Sequence, residues 1–576
     1  MITMKMFNVE QPTIRLLYTL NIFIINQKRG GIGMKKLVSV FACALMVFSL
    51  AGCGSSKDSD GKTFVFASEL DINSLDSTVA DDGMSFNAMH AITDGLMGTD
   101  KDGKTTNALA ESYELSKDNL TYTFKLKDAK WSNGEAVTAN DFVYSWRRII
   151  KNSGNYAYMM GSDGAGVKNA DAIMKKQESG AEITDKDLET LGITAKDDKT
   201  LVIELDAPCP YFLDLMTFPC YYPQNEKFVE EKGKDYGSSP ENTISNGAFV
   251  LKSWTKSSSL EFAKNPDYYD AANVKLDNLE MMLAQDPKTA SMNFDSNAND
   301  YCTINSELVD KYKDSKEFEL FNEGYLFYLQ LNFKNEALAN LNVRKALSYA
   351  IDRKDFTENV LKDGSQPARG FIPAQLSTGP DGKDFRETAG TYTDYNVEEA
   401  QKAMDAALKE LGTDTVKLRL LYGTDESPMD QMAEYLQNAF SKIKGLEIEM
   451  VATTKNDRIY NKETNGEFDI ALTRWGPDYS DPTTYLNLLL TNNTNNYGKY
   501  TSKAYDAKME EAKANVNDAA ARWENLKEAE KIGMEDYAYI PVFEKGAALL
   551  KKPKVTGIVH KPVGVPYTFN YVDITE

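Results

Sequence analysis

The chain is 576 residues long, with 65 basic against 86 acidic residues and a formal charge of −21. Residues 1–53 hold six of the basic residues and one acidic residue, so the remainder carries −26. That balance argues against nucleic acid or an anionic membrane surface as a partner, since both select basic patches. The roughly 520 residues beyond position 53 exceed what one hydrophobic core organises and predict two or three domains.

Met34-Lys35-Lys36, the apolar residues 37–50 and Leu50-Ala51-Gly52-Cys53 follow the order of a cleaved bacterial lipoprotein signal, with Cys53 the residue to be acylated. An apolar run of about 14 residues is too short to span a bilayer stably. Residues 54–61, GSSKDSDG, read as a flexible tether. Residues 1–33 precede a complete signal, and Lys28-Arg29-Gly30-Gly31 is encodable by purine-rich codons just before Met34. They are expected to be an untranslated upstream region read as protein, so no native peptide containing Val9-Glu10-Gln11 is expected. Of five cysteines, Cys43 leaves with the signal and Cys53 is lipidated; Cys209 and Cys220 are the candidate disulfide, with Cys302 left over. His90 and His560 are the only histidines, and neither has a cysteine or second histidine at metal spacing, so neither a histidine-bound metal nor a cofactor is expected.

Residues 63–67 read as a strand, and residues 85–93 as a helix behind the loop Ala80-Asp81-Asp82-Gly83. Asp100-Lys101-Asp102-Gly103-Lys104 has its glycine at the fourth position, where a calcium loop needs it at the sixth, and reads as a hairpin turn. Tyr122, Phe124 and Leu126 alternate with polar residues in a half-buried strand. Thr138 to Asp141 makes a capping-box start for a helix with Phe142, Trp146 and Ile149 on one face. Leu201, Ile203 and Leu205 mark another strand, residues 246–251 and 260–263 a hairpin, and residues 325–331 a further strand. Asn342 is expected to cap a helix that buries Val343, Ala346, Leu347, Ala350 and Ile351. Residues 370–391 read as a long loop, and Asn396 with Glu399 as a capping box on a helix stopped by Gly412.

Residues 416–421, 446–451 and 468–472 read as strands, with helices at 427–443, opened by Ser427-Pro428, and at 456–462. Together they form a β-α-β-α-β run. Asp481-Pro482 looks like an N-cap and first-turn proline of a helix through Leu490. The residues between, Thr473 to Ser480, are expected to form a rigid turn holding an aromatic plate, a cation and a carboxylate left spare by Asp481. Ligands of open α/β sheets sit just beyond the carboxyl ends of strands, which makes Asp478 a ligand-contact candidate; an Asx-turn of its own is the other reading. Residues 519–531 read as a helix near the end of the chain.

Leu109-Ala110-Glu111-Ser112-Tyr113, the stretch from Tyr122 through Trp131-Ser132-Asn133-Gly134-Glu135, and Thr138 to Trp146 resemble the signature of the peptide-binding family of ABC-transporter solute receptors. Asn246 to Phe249, Asn265-Pro266-Asp267-Tyr268-Tyr269, Val343-Arg344-Lys345-Ala346-Leu347 and Asp478-Tyr479-Ser480-Asp481-Pro482 match its later blocks in order. The match is nearest to the oligopeptide-binding branch. The resemblance implies an α/β, two-lobed periplasmic-binding-protein-like (Venus flytrap) fold with an extra inserted domain. On that map lobe 1 comprises residues 62–97, 219–320 and 542–576, the insert 98–218, and lobe 2 residues 321–541.

The resemblance further implies a monomeric receptor on the outer face of the bacterial cytoplasmic membrane. It would be anchored through lipid on Cys53, bind oligopeptides between its lobes and deliver them to an ABC permease. Asp478 then takes the position of the residue that binds the peptide's amine. By position, the backbone of Arg474 and Gly476 in one lobe and of Asp81 to Gly83 in the other would pair with an extended peptide. Trp475 and Tyr156 fit either pocket walls or ordinary core, and Arg474 either a countercharge or a surface arginine. Leu472 stands where short-peptide receptors carry a basic side chain, leaving peptide length open. A dedicated ligand (pheromone or murein peptide, sugar, haem) or a sensor role uses the same scaffold. No G-x-S-x-G, H-E-x-x-H or S-x-x-K stands in a convincing setting, so an enzyme is not expected.

Overall fold

A computed structural model of the chain describes residues 61–426 and 428–575. The signal segment, Cys53, the tether up to Asp60 and Ser427 lie outside the described residues. Among the described residues no helix is long and apolar enough to cross a membrane.

Alternating apolar residues set the strands, and the strands divide into two lobes on one continuous mixed sheet. Its order is Leu446–Thr453, Val416–Gly423, Ile470–Trp475, Phe318–Leu331, Tyr539–Lys551, Tyr301–Ile304, Thr63–Ala67, Asn278–Met282, Ser259–Lys264 and Phe249–Thr255. The expected β-α-β-α-β run supplies one end: Val416–Gly423 is parallel to both Leu446–Thr453 and Ile470–Trp475. Thr63–Ala67 is parallel to both of its neighbours at the other end. One core gathers residues from Phe64 to Tyr301 with the tail around Val555 to Val572; the other lobe's cores come mainly from residues 326–543. A separate antiparallel sheet, ordered Ala110–Leu115, Thr121–Leu126, Thr200–Glu204, Ile193–Asp197, packs into the first core.

Only two strands of the sheet run from one core to the other. Phe318 to Asn322 pairs with Leu550 to Gly546, and Leu326 to Gln330 pairs with Glu544 to Tyr539; between Asn322 and Leu326 the ladder is broken. Gly324 sits in that break with φ +79°, and a Cβ there would lie 2.0 Å from the Pro562 carbonyl oxygen. The Tyr485 hydroxyl donates to the Gly324 carbonyl at 2.7 Å. An interrupted ladder with an obligatory glycine concentrates bending at one place.

Local readings mostly hold. Thr138 and Asp141 form the capping box of Ala139–Lys151, which buries Phe142, Trp146 and Ile149. The loop expected at 370–391 contains a short helix, Phe385–Ala389, capped by Asp384. Three further readings are corrected. The cap of Leu341–Tyr349 is Asn340, which accepts from the Asn342 and Val343 amides, while the Asn342 side chain donates to Glu410. The strand expected at 468–472 runs from Ile470 to Trp475, because Thr473, Arg474 and Trp475 pair with Tyr328, Phe327 and Leu326. The disulfide expected between Cys209 and Cys220 is absent: both are free and buried. Cys209 faces the Gly164 carbonyl, and the pKa of the Cys220 thiol is raised by burial and by Asp478.

Gly324→Ala combines a disfavoured backbone conformation with a backbone clash. It is expected to lower unfolding stability by about 2 kcal/mol or more, read by denaturant titration against wild type.

Candidate functional site

The site is built from the end of the Ile470–Trp475 strand and the turn after it. The strand's pairing with Val416–Gly423 covers only Ile470 and Ala471. On that side Leu472 to Trp475 have no strand partner among the described residues. Gly476 allows the turn: a Cβ there would lie 2.4 Å from the Tyr325 ring. Tyr325 therefore lies against the turn, with the Arg474 guanidinium 5.0 Å from its ring centroid.

Two aspartates three residues apart in this turn meet opposite fates. Asp481 accepts from the Thr483 amide at 3.0 Å, as an N-terminal cap should, and takes a bidentate pair of bonds from Arg522, each 2.8 Å. The helix it opens, Thr483–Leu486, continues only as a short 3₁₀ turn, Asn487–Leu489. The Asp478 amide donates to Thr484 Oγ1 at 3.1 Å. Its carboxylate has no hydrogen bond or ion pair among the described residues. Burial, together with Asp163, pushes this carboxyl from 3.8 to about 7.

The neighbours of that carboxylate come from both lobes. Burial raises the pKa values of Tyr156, Tyr158 and Cys220, and the nearby Asp478 charge raises each further. Tyr325, on the joint between the lobes, is raised by burial and feels Arg474, Glu323 and Asp478 together. Tyr156 is half-buried, packed edge-on to Phe86 at 5.3 Å and beside Phe218 at 5.0 Å. It therefore serves as core on one side and lines the space around Asp478 on the other.

The remaining expected residues separate. Arg474 is held in its own lobe by the Tyr325 and Phe327 rings and by Glu426, 3.6 Å from its Nε. It is 35% exposed, which excludes a freely solvated arginine. Trp475 packs against the second-lobe core, and its indole nitrogen is buried without a hydrogen-bond partner. Asp81 is exposed and accepts from the Asn73 side chain. Gly83 begins the helix Gly83–Ile92 behind its cap Asp82, with nothing within 4 Å of where a Cβ would stand.

Sequence reasoning missed Tyr325, Tyr158 and Asp163. The Tyr156-Ala157-Tyr158 spacing and the glycine before Tyr325 were the available signals. It also missed Arg458, buried between Glu426 and Glu463 and donating to Thr473 Oγ1 at 2.6 Å, which fixes the strand behind the turn.

The model of bacterial extracellular solute-binding proteins, family 5 Middle, matches residues 104–497. The chain is 33% identical to a dipeptide-binding protein of Lactococcus lactis subsp. cremoris, covering 91% of this chain and 96% of that one. The substrate-binding domain of an oligopeptide ABC transporter from Bacillus anthracis superposes with a TM-score of 0.73 at 34% identity, covering 89% of this chain and 99% of that one. Listeria monocytogenes OppA bound to peptide gives a TM-score of 0.73 at 33% identity, covering 90% and 100%. The chain belongs to the bacterial extracellular solute-binding proteins of family 5.

Proposed function

We propose that the protein is a receptor that captures oligopeptides between its two lobes and delivers them to an ABC permease. The observation that carries this is the unpaired Asp478 carboxylate in a tyrosine-lined space at the joint. A peptide's ammonium is the group every free peptide shares, and a desolvated carboxylate suits it because charge-assisted bonds are short and strong. The unpartnered edge from Leu472 to Trp475 supports a second contact, since an extended peptide adds to such an edge through main-chain bonds whatever its side chains. Lobe 1 on this reading is 62–97, 219–320 and 542–576, the insert 98–218 and lobe 2 321–541. Closure is a hinge motion at the Gly324 break.

We infer that Cys53 anchors the receptor by lipid to the outer face of the cytoplasmic membrane, a reading supported by the signal sequence and by the family's extracellular placement. Cys53→Ser is expected to release the protein into the medium and abolish labelling with radioactive palmitate. Retention on membranes with undiminished label would contradict the anchor.

Asp478→Ala is expected to weaken tri-alanine binding at least about 30-fold, equivalent to about 2 kcal/mol, and to leave N-acetyl-tri-alanine within about threefold. Equal losses for both peptides by calorimetry would exclude the amine role. The same titration carries a pH signature. The ligand-free fold holds the Asp478 proton up to about 7, whereas pairing with ammonium requires the carboxylate. Binding therefore ejects a proton below pH 7, so affinity for the free-amine peptide weakens as pH falls below about 7, and weakens again above about 8 as the peptide's own amine loses its proton. The acetylated peptide shows no such dependence. Because the folded carboxyl sits above its ordinary value, stability of the ligand-free protein declines between pH 3.8 and about 7.

A further inference from the structure

We propose that Tyr211 and Asp214 form a latch that grips the Asp478 turn from across the cleft and holds the lobes closed on a captured ligand. This rests on the reading of Asp478 as the capture site. The Tyr211 and Tyr479 rings are stacked with centroids 4.0 Å apart and planes 2° from parallel. Tyr479 is 2% exposed and, alone among residues 302–548 of the described chain, is a buried member of the first-lobe core. The next residue, Ser480, donates its amide to Asp214 Oδ2 at 2.9 Å. Asp214 also accepts from Thr105 Oγ1 at 2.7 Å and has the Lys561 ammonium 3.6 Å away. Burial would raise the Asp214 carboxyl, but Lys561, Thr105 and Ser480 outweigh it and hold the group below its usual range.

The turn is thus tied in two directions. On its own lobe Asp481 and Arg522 make a buried bidentate pair, the stronger class of contact. Toward the first lobe it has the Tyr211–Tyr479 ring stack with a bond between those side chains, and Ser480 bonded to Asp214, with no ion pair among the described residues. When the sheet bends at Gly324 one set must part, and the weaker set is the one spanning the lobes. Parting there leaves no buried unpaired charge, because Asp214 keeps Lys561 and Thr105 and the Ser480 amide turns to water. Tyr211 and Asp214 are positioning residues: neither need touch the ligand, but they hold the two residues next to Asp478.

The test compares wild type, Tyr211→Phe and Tyr211→Ala in stopped-flow displacement of tri-alanine and N-acetyl-tri-alanine, with small-angle scattering of each protein with and without peptide. Tyr211→Ala is expected to speed dissociation of both peptides about 3- to 10-fold, the range one aromatic pair supplies. Association stays within about twofold, the ligand-free radius of gyration shifts toward the open form, and Tyr211→Phe, which keeps the stack and loses only the hydroxyl contact with Tyr479, stays closer to wild type than Tyr211→Ala. Equal effects on both peptides separate the latch from the amine role, which discriminates between them. If wild type binds neither peptide, the receptor reading fails for tripeptides, and scattering alone decides the latch. An unchanged dissociation rate, or an unchanged ligand-free radius where no peptide binds, overturns it. Should Tyr211→Ala fail to fold, Tyr211→Leu fills the space without the aromatic plate and is read the same way.

Discussion

A carboxylate shut away from water needs either a countercharge or a proton. The protein meets that requirement for several of its acids with arginine: Glu530 with Arg386, Glu426 and Glu463 with Arg458, and Asp481 with Arg522. Among the described residues, Asp94, Asp141 and Glu544 have no arginine partner but accept from tyrosine, tryptophan or main-chain donors; the half-buried Asp478 carboxylate accepts from no donor. Asp478 stands three residues from Asp481 on the same turn, yet its carboxylate faces tyrosines and another acid rather than a base. On the proposed reading, that deficit lies where an outside cation reaches it when the lobes part. A site of this kind, as proposed, would recognise what its ligands share, a charged amine and a main chain.

The sheet gives the deficit its gate. Among the described residues two strands run between the cores, and both lose their register near Gly324, so the sheet itself joins the lobes at one place. Tyr325, the next residue, reaches from the joint to the Gly476 turn, so the hinge and the capture site are neighbours in sequence and in space. Movement of one is felt by the other without a long chain of intermediaries.

Much of this was legible in the sequence. The strand 121–126 alternates cleanly, and Thr138 with Asp141 announced its helix. The strand–turn–helix around Asp478 was readable because Asp481-Pro482 is an unambiguous start. Errors arose where tertiary partners decide. Nothing local tells that Thr473 to Trp475 extend the ladder, since their partners lie about 150 residues earlier. Asn340 and Asn342 both suit a cap, and only Glu410 claims the second. Cysteine spacing could not distinguish a disulfide from two buried thiols in separate surroundings. Several residues that carry the family resemblance prove to be scaffold: Trp131 donates to Asp141, Trp146 to the Tyr221 carbonyl, and Arg344 to the carbonyls of Leu338, Ala339 and Asp536. They hold frame and joint in place, while specificity resides in a few residues that pattern alone does not mark.

The central claim, that the cleft takes peptides of varied sequence through their shared groups, is met most directly by native mass spectrometry of protein produced in rich medium and beginning at Gly54. A ladder of bound species with peptide masses is the expected result, and it would give the length range at the same time. One bound species of a single non-peptide mass would contradict the claim and mark the protein as a receptor dedicated to another ligand.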